Sequence, residues 1–229
     1  MNSIFSKNNI ALFLALLFHS CGLIGILFTQ YKNWFIQNTP VTLLLMAALL
    51  IITQTKKNSH FFLFAFICFA VGMCTEMLGV NTGLLFGQYQ YGNVLGYKLF
   101  GVPLLIGINW FVIVFCSGSI THQIQCWIEG KYQDADQQLS SVIKLVSLIF
   151  DSATLATFFD YVMEPVAVKL GFWKWQNNEI PFYNFLCWFI ISALLMLVFQ
   201  VLKFNKRNYF AIHLFIIQLL FFMALRIYL

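Results

Sequence analysis

Seven apolar runs, each near the roughly 20 residues a helix needs to cross a bilayer, occupy most of this chain. They fall at 10–30, 34–53, 60–80, 99–120, 142–164, 182–202 and 209–227. Inside lipid every backbone N–H and C=O must find a partner within the protein, so such runs fold as helices. The expected fold is all-α, a polytopic membrane helical bundle of about seven transmembrane helices. The surface available to water is correspondingly small. Only 9% of residues are charged and 61% are hydrophobic, whereas a soluble domain is about 25% charged. The first run follows Lys7 but is too long for a signal peptide and lacks a small-residue cleavage site. No Gly/Ser-rich linker divides the chain, so residues 1–229 are expected to form one integral membrane domain.

Charge places the loops. The net charge of +5 includes no clustered basic face, which argues against nucleic acid as a partner. With seven spans, one side carries Lys7, Lys56, Lys57, Lys131, Lys203, Lys206 and Arg207, and the other Lys32, Lys98, Lys169, Lys174 and Arg226. The larger set marks the cytoplasmic side. The N-terminus is therefore expected in the cytoplasm, and the protein in the cytoplasmic (inner) membrane among its lipids. The six cysteines form no C-x-x-C pair and read as small core residues. The four histidines are scattered singly and cannot supply a di-iron cluster. The 27 phenylalanines read mostly as lipid-facing bulk, and they also suit a site for a long polyene.

An internal repeat organises the middle of the chain. Glu76 precedes Gly87 by eleven residues and Tyr89 by thirteen; Asp160 precedes Gly171 and Trp173 by the same intervals. The match continues to Tyr91 and Trp175. After a gap, Pro103 precedes Trp110 by seven, as Pro181 precedes Trp188. A parallel duplication of a helix–loop–helix unit follows, with copies at roughly 60–120 and 142–202.

The acids carry the chemical argument. Glu76, Asp151, Asp160 and Glu164 all lie in or at the ends of apolar runs. Carboxylates are expensive inside a bilayer, so they face an interior and usually serve function. Asp160 and Glu164 are four apart and share one helix face. Asp151 lies seven residues from Lys144 on the same face, which suggests an ion pair rather than chemistry. A buried carboxyl that keeps its proton can act as a general acid. If the two loops fold back over the bundle, Tyr89, Tyr91, Trp173 and Trp175 lie near the acids, and aromatic faces stabilise cations. Asn81, Gln88, Asn109 and Asn184 could hold water or orient the acids, although Asn184 could instead cap its helix.

At these residues the chain resembles a known family. Glu76-Met77-Leu78-Gly79-Val80-Asn81-Thr82-Gly83, Phe86-Gly87-Gln88-Tyr89-Gln90-Tyr91 and Gly101-Val102-Pro103 are similar to the membrane carotenoid 1,2-hydratases of the bisanhydrobacterioruberin hydratase type. Asp160, Glu164-Pro165, Gly171 to Trp175 and Pro181…Asn184…Trp188 extend the resemblance, which covers about half the chain, from Cys74 to Trp188. It departs at Glu164, where the family pattern has Asp, and at Ile180 and Cys187, where it has Gly; the last two bear on the shape of the second loop. The resemblance implies addition of water across the terminal C1–C2 double bond of a linear ψ-end carotenoid drawn from the lipid phase. It implies no cofactor and no metal. It implies Glu76 and Asp160 as the acid/base pair with Glu164 in support; Tyr89, Tyr91, Trp173, Trp175, Asn81, Gln88, Asn109, Asn184, Trp110 and Trp188 are the residues expected around the substrate. Which acid donates the proton stays open at this stage.

Other readings compete. An end-group cyclase would use the same protonation and quench the cation internally. A transporter would also explain intramembrane acids. A retinal protein needs a lysine in its last span, and 209–227 has none. A membrane prenyltransferase needs two acidic metal motifs, of which Asp160-x-x-x-Glu164 would be one poor match.

Overall fold

The computed structural model describes residues 6–131 and 140–229. Its long helices are α1 (Lys7–Phe28), α4 (Ser59–Thr82), α5 (Leu104–Lys131), α6 (Ser141–Lys169), α7 (Phe182–Val201) and α8 (Tyr209–Tyr228), with the short α2 (Lys32–Gln37) and α3 (Thr39–Thr53) between the first two. Six of these are long and apolar enough to cross a membrane, and α3 is a shorter apolar helix. The chain is an all-α polytopic membrane bundle.

The element boundaries depart from the expected spans in three places. The run at 34–53 is two helices separated at Asn38, and α3, with 15 residues, reaches only about 22 Å at 1.5 Å per residue. Residues 99–103 are not helical. They form the two-residue strands β2 (Lys98–Leu99) and β3 (Val102–Pro103) around a turn in which Phe100 and Gly101 both have positive φ, the geometry that suits a tight hairpin. Apolar character hid this turn, although Gly101 and Pro103 signalled it.

The third departure is α6, which passes through Pro165 to Lys169 instead of stopping at 164. Proline has no N–H to give the carbonyl four residues back. That carbonyl, on Tyr161, accepts a hydrogen bond from the Arg226 guanidinium at 2.9 Å. Arg226 also stacks over the Tyr161 ring at 4.7 Å. The turn of α6 next to the acids is thus completed by a side chain from α8.

At one end of the bundle, polar side chains tie two turns together. Gln54 Nε2 donates to Asn205 O at 2.5 Å, Asn58 Nδ2 to Lys203 O at 2.7 Å, and Asn208 Nδ2 to Gln54 Oε1 at 2.9 Å. Lys56, Lys57, Lys203, Lys206 and Arg207 therefore share one side. Asp151 is exposed, and Lys144 pairs with Glu129 at 3.1 Å instead of with Asp151. Ser152, next to Asp151, bonds Thr121 at 2.5 Å, and Gln123 on α5 reaches Asn208 O at 3.4 Å. Asp151 is thus turned outward on α6 and lies apart from the buried acids. Phenylalanine is not mainly lipid-facing bulk: among the described residues twelve are buried, Phe61, Phe64, Phe86, Phe115, Phe199 and Phe210 fully so, against eight exposed.

At the other end the two long loops meet. Strands β1 (Tyr89–Tyr91) and β4 (Trp173–Trp175) pair antiparallel, with Tyr89 opposite Trp175 and Tyr91 opposite Trp173. Gly92 N donates to Phe172 O at 2.8 Å and Gln176 N to Gln88 O at 2.9 Å, so the ribbon is extended equally at both ends. A Cβ on Gly92 would lie 2.1 Å from the Gly171 carbonyl oxygen, and a backbone atom cannot swing aside. Gly92→Ala is expected to open this ribbon at a cost of about 1–3 kcal/mol, the usual range for overpacking. A melting curve of the detergent-solubilised protein would show it as a drop of several degrees; an unchanged midpoint would mean that the ribbon contributes little to stability.

Candidate active site

The ribbon closes a buried cavity, and the acids enter it from two helices. Glu76 projects from α4, and Asp160 and Glu164 from α6; all three are buried and line the same cavity. Gly72 and Gly79 share the face of Glu76, at four residues before and three after. A Cβ on Gly72 would sit 2.6 Å from the Trp110 ring, and one on Gly79 would lie 2.9 Å from the Tyr89 hydroxyl. These two glycines make room for the groups that bond Glu76. Trp110 Nε1 donates to Glu76 Oε1 at 3.0 Å, Tyr91 Oη donates to Oε2 at 2.7 Å, and the Tyr89 hydroxyl also donates to Oε2. Burial, then the nearby Glu76, push the Tyr89 and Tyr91 phenols well above the usual tyrosine range, so both stay protonated donors.

Glu164 is held in the same manner by the other loop. Trp173 Nε1 and Trp175 Nε1 donate to Oε2 at 3.0 and 2.9 Å, and Asn184 Nδ2 approaches Oε1 at 3.4 Å. Each aromatic pair therefore serves an acid on the helix just before it. The two halves differ in which acid the aromatic pair bonds. The repeat aligns Asp160 with Glu76, yet the second aromatic pair bonds Glu164, one turn further along α6.

Among the described residues Asp160 has a single donor, Asn184 Nδ2 at 2.8 Å on Oδ2. Its Oδ1 is buried and, among the described residues, has no hydrogen-bond partner. Asn184 lies at the start of α7, but its side chain bridges the two acids rather than capping the helix. Trp188 stacks on Trp110 with centroids 3.9 Å apart and planes 8° from parallel. Unlike Trp110, its indole N–H donates to nothing among the described residues.

Asn109 also lines the cavity. Asn81 and Gln88 do not; both are exposed and border a separate polar cleft on the far side of the ribbon. Asn81 Nδ2 instead ties Phe100 O, and so the β2–β3 hairpin, to α4 at 3.0 Å. Tyr89 and Trp175 line both the cavity and this cleft. Cys187 Sγ receives the Phe86 backbone N–H at 3.3 Å and anchors the first loop against α7.

The sequence reading missed Gln218, Thr39 and Phe222, which complete the cavity wall. Gln218 had a visible signal, as a lone amide within the apolar run of α8. Its side chain, like that of Asn109, makes no hydrogen bond among the described residues.

This fold and site define a polytopic membrane protein whose interior holds three carboxyl groups among stacked aromatic rings. The family model described as "Carotenoid biosynthesis protein" matches residues 38–229, and the chain belongs to that family. It is 28% identical over 131 residues to the bisanhydrobacterioruberin hydratase of Haloarcula japonica, an alignment covering 55% of this chain and 40% of the relative. The chain thus matches less than half the length of that relative. No solved structure matches it significantly.

Proposed function

We propose that this protein is a carotenoid 1,2-hydratase that adds water across the terminal C1–C2 double bond of a linear ψ-end carotenoid. The observation that carries the reading is Asp160 Oδ1, a buried carboxyl oxygen with no hydrogen-bond partner among the described residues, in a cavity walled by aromatic rings. Glu76 and Glu164 are each engaged by three donor groups, which suits acceptor-only, ionised carboxylates. Asp160 is the group left to carry a proton to substrate.

The chemistry follows from that asymmetry. Asp160 gives its proton to C2, and the C=C electron pair forms the new C–H bond. C1 becomes a tertiary cation, stabilised by Tyr89, Trp110, Trp175 and Trp188 and by the negative charge of Glu76 and Glu164. A water oxygen bonds to C1, and its surplus proton passes to the Asp160 carboxylate. The product is a tertiary alcohol and the site regains its starting state, so no cofactor is consumed. The Asn109 and Gln218 amides bond nothing among the described residues, lie in the same cavity and can orient that water. The polar cleft beyond Tyr89 and Trp175 offers its supply. Water held beside the cation favours hydration over cyclisation.

The same reading keeps the two helix–loop–helix units as a parallel duplication within one domain. The β1–β4 register supports it, since a two-fold relation sets Tyr89 against Trp175 and Tyr91 against Trp173. The lysine-rich side is taken as cytoplasmic, with the site toward the opposite face of the inner membrane.

Expression in a bacterium that makes lycopene tests the reaction. Pigment mass spectrometry should find a product heavier by one water per reacted end. An isomer of unchanged mass with altered absorption would replace hydration by cyclisation.

A further inference from the structure

A second cavity adjoins the acid chamber. It is a groove bounded by α1, the α2–α3 segment and α8, with Phe18, Phe35 and Phe221 among its walls. Thr39, Leu43, Phe172, Gln218 and Phe222 line both spaces, so the groove and the chamber share one wall. Leu17, Trp34 and Val41, at its outer rim, are exposed on the lipid-facing surface. The short α3 contributes to this arrangement. Its first turn begins at Thr39, at the junction, because the chain breaks at Asn38 instead of continuing as one straight span.

We infer that this groove binds the hydrocarbon stretch of the polyene, and that substrate enters from the lipid between α1 and α3 with its reacting end passing Gln218 into the acid chamber. The inference rests on the proposed hydratase reading and extends it. The occupant follows from three features together: a lining that is mainly apolar and aromatic, with His19, Asn38, Thr39, Thr42 and Gln218 as its polar members, an opening onto lipid, and continuity with a chamber of carboxyl groups. A polar or charged ligand would leave its groups unpaired against such walls. A linear polyene matches them, and places its terminal isopropylidene group near Asp160. Gln218 stands at the boundary, where it faces hydrocarbon on one side and the reacting end on the other. It is assigned as a positioning residue.

The wall carries its own probe. Cys21 is exposed and lines the groove, whereas Cys74, also exposed, does not. Alkylation by N-ethylmaleimide is to be compared in membranes of one host with and without lycopene. Lycopene should slow labelling of Cys21 at least threefold while Cys74 labels at one rate in both. Equal labelling of Cys21 in the two membranes would overturn the groove.

A second measurement fills the groove. Gly22 lines it, and a Cβ there would meet only the edge of the Phe221 ring, at 3.5 Å. Gly22→Trp should lower hydrated product at least tenfold per unit of inserted protein; unchanged product would count against the groove. If Gly22→Trp fails to insert, the Cys21 comparison decides alone. Protection of Cys21 without any added water would keep the groove and remove the hydratase reading. Hydration with neither protection nor a Gly22→Trp effect would do the reverse.

Discussion

Asp160→Asn should lower hydration by about 100-fold or more, the range in which a lost general acid falls. The substitution keeps the size and planarity of the side chain. Asn184 Nδ2, which donates to Asp160 Oδ2 at 2.8 Å, can still donate to the amide oxygen, so the bridge across α6 and α7 survives. What disappears is the transferable proton. An amide N–H cannot protonate an alkene, and on the proposed reading Glu76 and Glu164, each engaged by donors, do not take its place. The measurement is the ratio of hydrated to unhydrated pigment per membrane-inserted protein. Near-normal product from Asp160→Asn would remove Asp160 as the proton source.

Glu76→Gln should fail for a different reason and should also cost stability. Trp110 Nε1 donates to one carboxylate oxygen, and the Tyr91 and Tyr89 hydroxyls donate to the other. A glutamine offers one oxygen and one NH2 group. If the NH2 faces Trp110, two donors oppose each other, since an indole N–H cannot accept. If it faces the tyrosines, their hydroxyls must turn and give up their present bonds. Leaving a buried polar group unmatched costs about 1–3 kcal/mol, and the negative charge beside the proposed cation is lost as well. Turnover should fall at least tenfold, together with a lower melting midpoint in detergent. Tyr91→Phe removes one donor but keeps the charge, and so should lose less activity. Wild-type turnover in Glu76→Gln would argue against a role for its charge.

These two expectations separate acids that the sequence could only group. Glu76, Asp160 and Glu164 stood out because a carboxylate in an apolar run is visible one residue at a time. Their aromatic neighbours were legible too, since the spacing from Glu76 to Tyr89 and from Asp160 to Trp173 is the same. The match misled on one point, by aligning Asp160 with the second aromatic pair, which in the fold bonds Glu164. Asn81 and Gln88 lie close to the right residues in sequence, but their side chains end on the outer side of the ribbon. Gln218, about 140 residues after Glu76, was passed over because nothing local ties it to the site.

The membrane-helical class and the position of the acids in apolar runs were legible residue by residue. Both follow from the cost of placing a given side chain or backbone group in hydrocarbon, which is largely a property of the segment that carries it. The tertiary structure decided which acid keeps a bare oxygen, where α6 continues past Pro165, and how the chamber meets the groove. Each of these depends on donors and walls supplied by separate helices: Asn184 from α7 for Asp160, Arg226 from α8 for the Tyr161 carbonyl, Thr39 and Gln218 for the passage to lipid. Hydrogen-bond satisfaction belongs to the pair of groups that meet, and only the packed bundle brings those pairs together.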